Sequence, residues 1–162
     1  MNRLKGNVTI ITGGGKGIGF GLAQAFAAEG SDLVITGRTE SRLLSAKERL
    51  EKEFGIHVLP IVADGADEVA IKKVVSETIR TFGKINTLVN NAQVSKSGLP
   101  LVEHTREDLD LAVFSGLYAA FFYMRECFPY LKETKGSVIN FASGAGMFGK
   151  LGQSSYAAAK EG

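Results

Sequence analysis

The sequence predicts an α/β fold: a doubly wound parallel sheet with helices on both faces. Three observations carry that expectation. Short apolar runs alternate with stretches of helical period along the whole chain. The stretches between those runs are roughly ten to twenty residues long, as right-handed βαβ crossovers require. The runs themselves are apolar without alternation, as in strands covered on both faces. The chain has 162 residues, of which 44% are hydrophobic and 22% charged, enough for a real core. No repeat, low-complexity tract or Pro/Gly/Ser-rich linker divides it, so residues 1–162 are expected to form a single domain.

The first strand is Val8-Thr9-Ile10-Ile11. It runs into Thr12-Gly13-Gly14-Gly15-Lys16-Gly17-Ile18-Gly19, and an Ala-rich helical run from Phe20 to Glu29 follows, closed by Gly30. Leu33-Val34-Ile35-Thr36 reads as the second strand, and Gly37-Arg38-Thr39 turns into a helix. Leu43, Ala46, Leu50 and Phe54 fall on one face of that helix, with Gly55 placed to cap it. Ile56 to Val62 is the third strand, ending at Ala63-Asp64-Gly65. Ile71, Val74, Val75, Ile79 and Phe82 mark the next helix, closed by Gly83. Ile85 to Val89 is the fourth strand, ending at Asn90-Asn91-Ala92.

Gln93 to His104 is irregular, with Gly98 and Pro100. Thr105-Arg106-Glu107-Asp108 has the form of a capping box and opens one long helix to about Leu131. The middle of that helix leaves little polar face, which predicts burial against a partner subunit. Ser137 to Ala142 is the fifth strand, then a small-residue loop, then a last helix starting near Ser154. In such sheets ligands sit beyond the carboxyl ends of the strands. Gly13, Gly37, Asp64, Asn91 and Ser143 all stand at those ends, so one crevice is expected to gather them.

The glycine turn between strand and helix suits a phosphate. Glycines let the backbone approach without side chains in the way, and the helix then starts with free N–H groups at the positive end of its dipole. A P-loop needs Lys and Ser/Thr after its last glycine; here Phe20 and Gly21 follow, which excludes a Walker-type NTPase. The spacing is T-G-x-x-x-G-x-G on Thr12, Gly13, Gly17 and Gly19. Bulk properties exclude other classes. A net charge of +2 gives no footprint for nucleic acid or an anionic membrane. The N-terminus has no apolar signal core, and the longest uncharged run, Leu111 to Met124, is too short to span a bilayer. Cys127 is the only cysteine, and His57 and His104 have no partners at metal spacing; a cytoplasmic protein without a metal site is expected.

Tyr156-Ala157-Ala158-Ala159-Lys160 places a phenol and an ammonium on one helix face. A neighbouring ammonium favours the phenolate, which suits general acid–base work. Ser143 lies thirteen residues upstream at the end of the fifth strand. Taken with the glycine turn and Asn90-Asn91-Ala92, the order and spacing resemble the classical branch of the short-chain dehydrogenase/reductase family along the whole chain.

The resemblance implies a Rossmann-type domain and an oxidoreductase interconverting an alcohol and a ketone. Hydride would pass to or from a nicotinamide cofactor while Tyr156 moves the proton. Lys160 would favour the ionised tyrosine and hold the nicotinamide ribose, and Ser143 would orient the substrate oxygen. Gly13, Gly15, Lys16, Gly17, Ile18, Gly19, Arg38, Asp64 (at the adenine) and Asn91 would line the cofactor, with Tyr156 and Lys160. Readers of NAD place a carboxylate after the second strand; Gly37 stands there and Arg38 follows, with Lys16 nearby, so NADP(H) is expected over NAD(H). Homodimers or homotetramers built through the long helix are also implied, with a small carbonyl or alcohol compound as substrate. Steroid, sugar, acyl thioester and simple ketone all remain open.

Three departures qualify this. The family usually has an Asn in the long helix, and counting back from Pro129 its place falls at Gly116. The family's Asn-Asn-Ala-Gly reads Asn90-Asn91-Ala92-Gln93. Either Gln93 fills the space over Gly116, or water alone does. Family members also continue through two more strands and a substrate loop, so the chain is expected to lack these parts. A cofactor-binding protein without turnover is the alternative that truncation and Gly116 favour.

Overall fold

The computed structural model describes residues 2–162. Five strands, β1 (Val8–Thr12), β2 (Asp32–Gly37), β3 (Val58–Val62), β4 (Thr87–Asn90) and β5 (Ser137–Asn140), form one sheet. All pairings are parallel and the order is β3-β2-β1-β4-β5. The order reverses between β1 and β4, which is where a doubly wound sheet opens its ligand crevice.

Alternate strand residues feed two cores. Ile11, Leu33, Ile35 and Val89 pack with Ala23 and Ala27 of α1 (Gly17–Ala28) and with Leu43, Ala46 and Leu50 of α2 (Glu40–Phe54). Ile10, Val34 and Leu88 face the other way. They meet Ile71, Val74 and Val75 of α3 (Glu68–Phe82), and Tyr123, Cys127 and Leu131 of α5 (Ala119–Thr134). Gly55 and Gly83 end α2 and α3 in the left-handed conformation, as their spacing predicts. β5 departs from the buried pattern of the central strands: it is one of the two sheet edges, and all four of its residues are exposed, whereas β3 at the other edge is partly covered.

The capping box holds. Thr105 Oγ1 accepts from Asp108 N–H at 3.2 Å, and Asp108 Oδ2 accepts from Thr105 N–H at 3.0 Å. The helix it opens is not continuous, however. α4 (Arg106–Ala112) passes into a π-helical stretch, Val113–Tyr118, before α5 resumes. Ser115 explains the break. Its hydroxyl lies 2.6 Å from the Leu111 carbonyl and 2.9 Å from the Val94 carbonyl, and accepts from Val94 N–H at 3.0 Å. A hydroxyl that engages the preceding turn competes with the backbone ladder, and Gly116 adds a residue with poor helix propensity. The expected small-residue loop after β5 contains a short helix, α6 (Gly144–Phe148), capped by Ser143. The last helix, α7 (Ser154–Glu161), starts where predicted.

Burial pushes the pKa of Tyr123 up from 10.0, and that of the Cys127 thiol up from 9.0, each to about 12. The unfolded chain therefore sheds both protons before the native chain does. The stability that depends on them is fully present below about pH 9 and drains away as pH rises toward about 12. Melting temperature should fall steadily across that window. Cys127→Ala should flatten the lower part of the decline, whatever it does to the absolute midpoint; an identical slope in both proteins would contradict the assignment to the thiol.

Candidate active site

Beyond the carboxyl ends of β1 and β4 lies a crevice of about 920 Å³. Thr12 organises its floor. Its hydroxyl accepts from both Asn91 N–H and Ala92 N–H at 2.9 Å and reaches the Val89 carbonyl at 3.3 Å. Asn91 returns the contact, donating from Nδ2 to the Thr12 carbonyl at 2.9 Å. The ends of two strands are thereby laced together immediately before the glycine turn.

The turn is glycine for steric reasons. Gly13 has φ +70°, and a Cβ there would sit 3.1 Å from Asn91 Nδ2. A Cβ on Gly19 would meet the Gly13 carbonyl and lie 2.7 Å from Asn91 Nδ2. Lys16, extended and with no side-chain cap bond, precedes α1, so the first helical N–H groups are left for a ligand. Gly15, Lys16, Gly17, Ile18 and Gly19 all line the crevice, and so do Arg38, Asp64 and Asn91. Room, a bare backbone cradle and open N–H groups together fit a phosphate-bearing dinucleotide.

Cations outnumber carboxylates at this end. Lys16, Arg38 and Arg42 line the crevice, while Arg42 and Arg49 also line a smaller hollow of about 430 Å³ behind the turn. Among the described residues the ion pairs involve none of these four cations. Arg49 stacks over Phe20, 4.6 Å from the ring centroid. Asp64 is exposed on the rim, its Oδ1 accepting from Ala66 N–H at 3.0 Å. Arg42 was legible as a cation one helical turn after Arg38, but the spacing alone did not say which way it faced.

At the other end Lys160 lines the crevice and donates from Nζ to the Phe141 carbonyl at 2.5 Å. Partial burial holds its pKa below the usual lysine range. Tyr156 stands one turn earlier on α7, with its ring centroid 6.0 Å from Lys160 Nζ. The expectation that one crevice gathers every strand-end residue needs correcting at Ser143. The lining reaches Ala142, then resumes at Ala159. Ser143 and Tyr156, both half-buried, flank the crevice on α6 and α7, which pack on each other. Ser143 caps α6, its Oγ accepting from Ala145 N–H at 3.2 Å.

Gln93 does occupy the space over Gly116. A Cβ on Gly116 would fall 2.8 Å from Gln93 Cδ, 2.9 Å from Nε2 and 3.1 Å from Oε1. Both amide atoms are buried and have no hydrogen-bond partner. Asn90, part of the Asn90-Asn91-Ala92 motif, carries a third such atom: Oδ1 is buried and unpartnered, while Nδ2 donates to Asn140 Oδ1 at 2.8 Å.

With this geometry in view, comparison with known proteins is informative. Residues 7–162 match the family model for short chain dehydrogenase. The whole chain is 58% identical to a 12alpha-hydroxysteroid dehydrogenase from a Clostridium species and covers 65% of its length. Over 99% of the chain it is 35% identical to a 3-oxoacyl-(acyl-carrier-protein) reductase of Thermotoga maritima, again covering 65% of that protein. The chain thus spans a little under two thirds of these relatives. Among solved structures, levodione reductase superposes with a TM-score of 0.94 at 33% identity, over 99% of this chain and 63% of that one. An L-sorbose reductase from Gluconobacter frateurii, complexed with NADPH and L-sorbose, gives 0.94 at 29% identity, over 99% and 62%.

Proposed function

The chain belongs to the short-chain dehydrogenase family, and from that premise we propose that it is an NADP(H)-dependent oxidoreductase interconverting an alcohol and a ketone. One observation carries the reading: Lys160, with Tyr156 a turn away, stands at one end of the crevice whose other end is the glycine cradle beside Lys16 and Arg38. The nicotinamide supplies hydride transfer when bound. Tyr156 gives or takes the proton of the substrate oxygen, and Lys160 holds the nicotinamide ribose. Ser143 orients the substrate oxygen. Gly13, Gly15, Gly17, Ile18 and Gly19 carry the pyrophosphate side, Asp64 the adenine, and Lys16 and Arg38 a 2′-phosphate, with Asn91 beside the cofactor in the crevice.

For substrate we propose a hydroxysteroid. Support comes from the 58% identity to a protein of that name and from apolar surface beside Ser143, where Met147, Phe148 and Leu151 are 70%, 84% and 97% exposed. A polycyclic apolar compound suits such a surface better than a sugar does. A homodimer or homotetramer through the α4–α5 segment is part of the reading, supported by the exposed aromatic stripe of Phe114, Tyr118, Phe121 and Phe128. A cytoplasmic setting fits too. No helix among the described residues is long and apolar enough to cross a membrane. Initial rates of NADP⁺ reduction with a 12α-hydroxysteroid, a sugar alcohol and a 3-hydroxyacyl thioester test the proposal. The steroid should exceed the others at least tenfold in kcat/KM. Equal or better rates on the sugar alcohol would overturn the substrate class, and no turnover with any would favour binding without catalysis.

A further inference from the structure

Three polar groups along the inner wall of the crevice have unused hydrogen-bonding capacity. Gln93 Oε1 and Nε2 have no partner, Asn90 Oδ1 has none, and the Lys160 ammonium, a triple donor, has one bond, to the Phe141 carbonyl. Contacts to the backbone tie Asn90, Phe141 and Lys160 to one neighbourhood, and Gln93 joins them in the crevice wall. Phe141 N–H donates to the Asn90 carbonyl at 3.0 Å, Lys160 caps the Phe141 carbonyl, and all four line the same crevice. Buried polar atoms in native proteins find partners, and ordered water is the usual one where the wall is polar and the space sufficient.

Gln93 is not there by accident of a flexible loop. Ser115 grips both the N–H and the carbonyl of the adjacent Val94, while Gly116, next to Ser115, provides the only kind of floor on which the carboxamide can lie. Any side chain at 116 would collide with the amide. The backbone of Gly116 does not itself require glycine, since its φ is not positive. The glycine is therefore accounted for by Gln93, and the π-helical stretch presents the two as a unit.

We propose that Gln93 is a positioning residue for Lys160: its Oε1, together with Asn90 Oδ1, holds ordered water that takes up the remaining donors of the ammonium. The carboxamide reaches the crevice from the loop after β4, seated on Gly116. This adds to the function proposed above a residue that the Ser143, Tyr156 and Lys160 set leaves out. It also gives the half-buried ammonium the acceptors that burial has removed.

The test is the titration of Lys160, followed by NMR of its ε-ammonium in the protein without cofactor. Gln93→Met keeps the length and removes the acceptor. An acceptor on the charged form favours it, so its loss should lower the Lys160 pKa further, by about half a unit or more. An unchanged titration would overturn the proposal. Moving the amide to the helix, with Gln93→Gly and Gly116→Asn together, should return the titration toward that of the unmutated protein, whereas Gln93→Gly alone should not. If the Met variant does not fold, this pair decides: a swap that restores nothing overturns the proposal. A merely structural role would shift melting temperature without moving the Lys160 titration. Cofactor titration of the same proteins keeps this inference apart from the function it extends. Failure of the unmutated protein to bind NADPH would contradict the function and leave the Lys160 result standing.

Discussion

Tyr156→Phe should lower kcat by about a thousandfold, within the range that loss of a positioned acid–base group produces, while NADPH affinity stays within about threefold. The expectation follows from placement. Tyr156 is half-buried beside the crevice, outside the residues that line the glycine cradle. It is on α7, one turn from Lys160, whose ammonium is anchored by the Phe141 carbonyl and so does not swing away. Removing the hydroxyl deletes the proton donor and leaves the ring packing intact. Steady-state assays with fluorescence titration of the cofactor give both numbers. Wild-type turnover in the Phe variant would remove Tyr156 from the chemistry. Equal loss of cofactor binding would mean the residue supports the fold of α6 and α7 instead.

The second large effect concerns cofactor choice. Arg38→Ala should weaken NADPH by roughly 10- to 100-fold, the worth of one or two charge-assisted hydrogen bonds, and leave NADH nearly unchanged. Gly37→Asp should go further and reverse the preference, since a carboxylate there would grip a 2′-hydroxyl and repel a 2′-phosphate. The backbone permits the change. Gly37 is not among the positive-φ glycines, and a Cβ on it would meet Leu43 Cδ2 at 3.5 Å, an ordinary contact. A G37D protein that still prefers NADPH would show that Lys16, Arg42 and Arg49 govern the choice rather than the end of β2.

Much of this was legible in the residues. The central strands β1, β2 and β4 were visible as unbroken apolar runs because helices cover both faces, and Gly55 and Gly83 were visible as caps because both end strongly periodic helices. The capping box at Thr105 was legible for the same reason: its chemistry is local. What escaped was non-local. The π-helical stretch depends on Ser115 reaching across to Val94, twenty-one residues away in sequence, and no periodicity announces that. α6 was read as a loop because Gly144, Ala145 and Gly146 have little helical pattern; Ser143 starts it by capping. Ser143 makes that capping bond just beyond the last lining residue after β5, so its strand-end position was readable and its capping role was not. The meeting of Gln93 with Gly116 was anticipated from two simultaneous departures from one pattern, but only coordinates could show that the amide atoms are buried and unpartnered.

The central claim is that the glycine cradle and its cations form a working nicotinamide-nucleotide site with a preference for the 2′-phosphate. Fluorescence titration of the purified protein with NADPH and with NADH, in the same buffer, tests it most directly. The account predicts saturable binding of both with NADPH tighter by at least tenfold, the difference shrinking at high salt as exposed Lys16 and Arg38 are screened. Tighter NADH, or a preference indifferent to salt, would contradict the assignment of Lys16 and Arg38, and binding of neither would contradict the site itself.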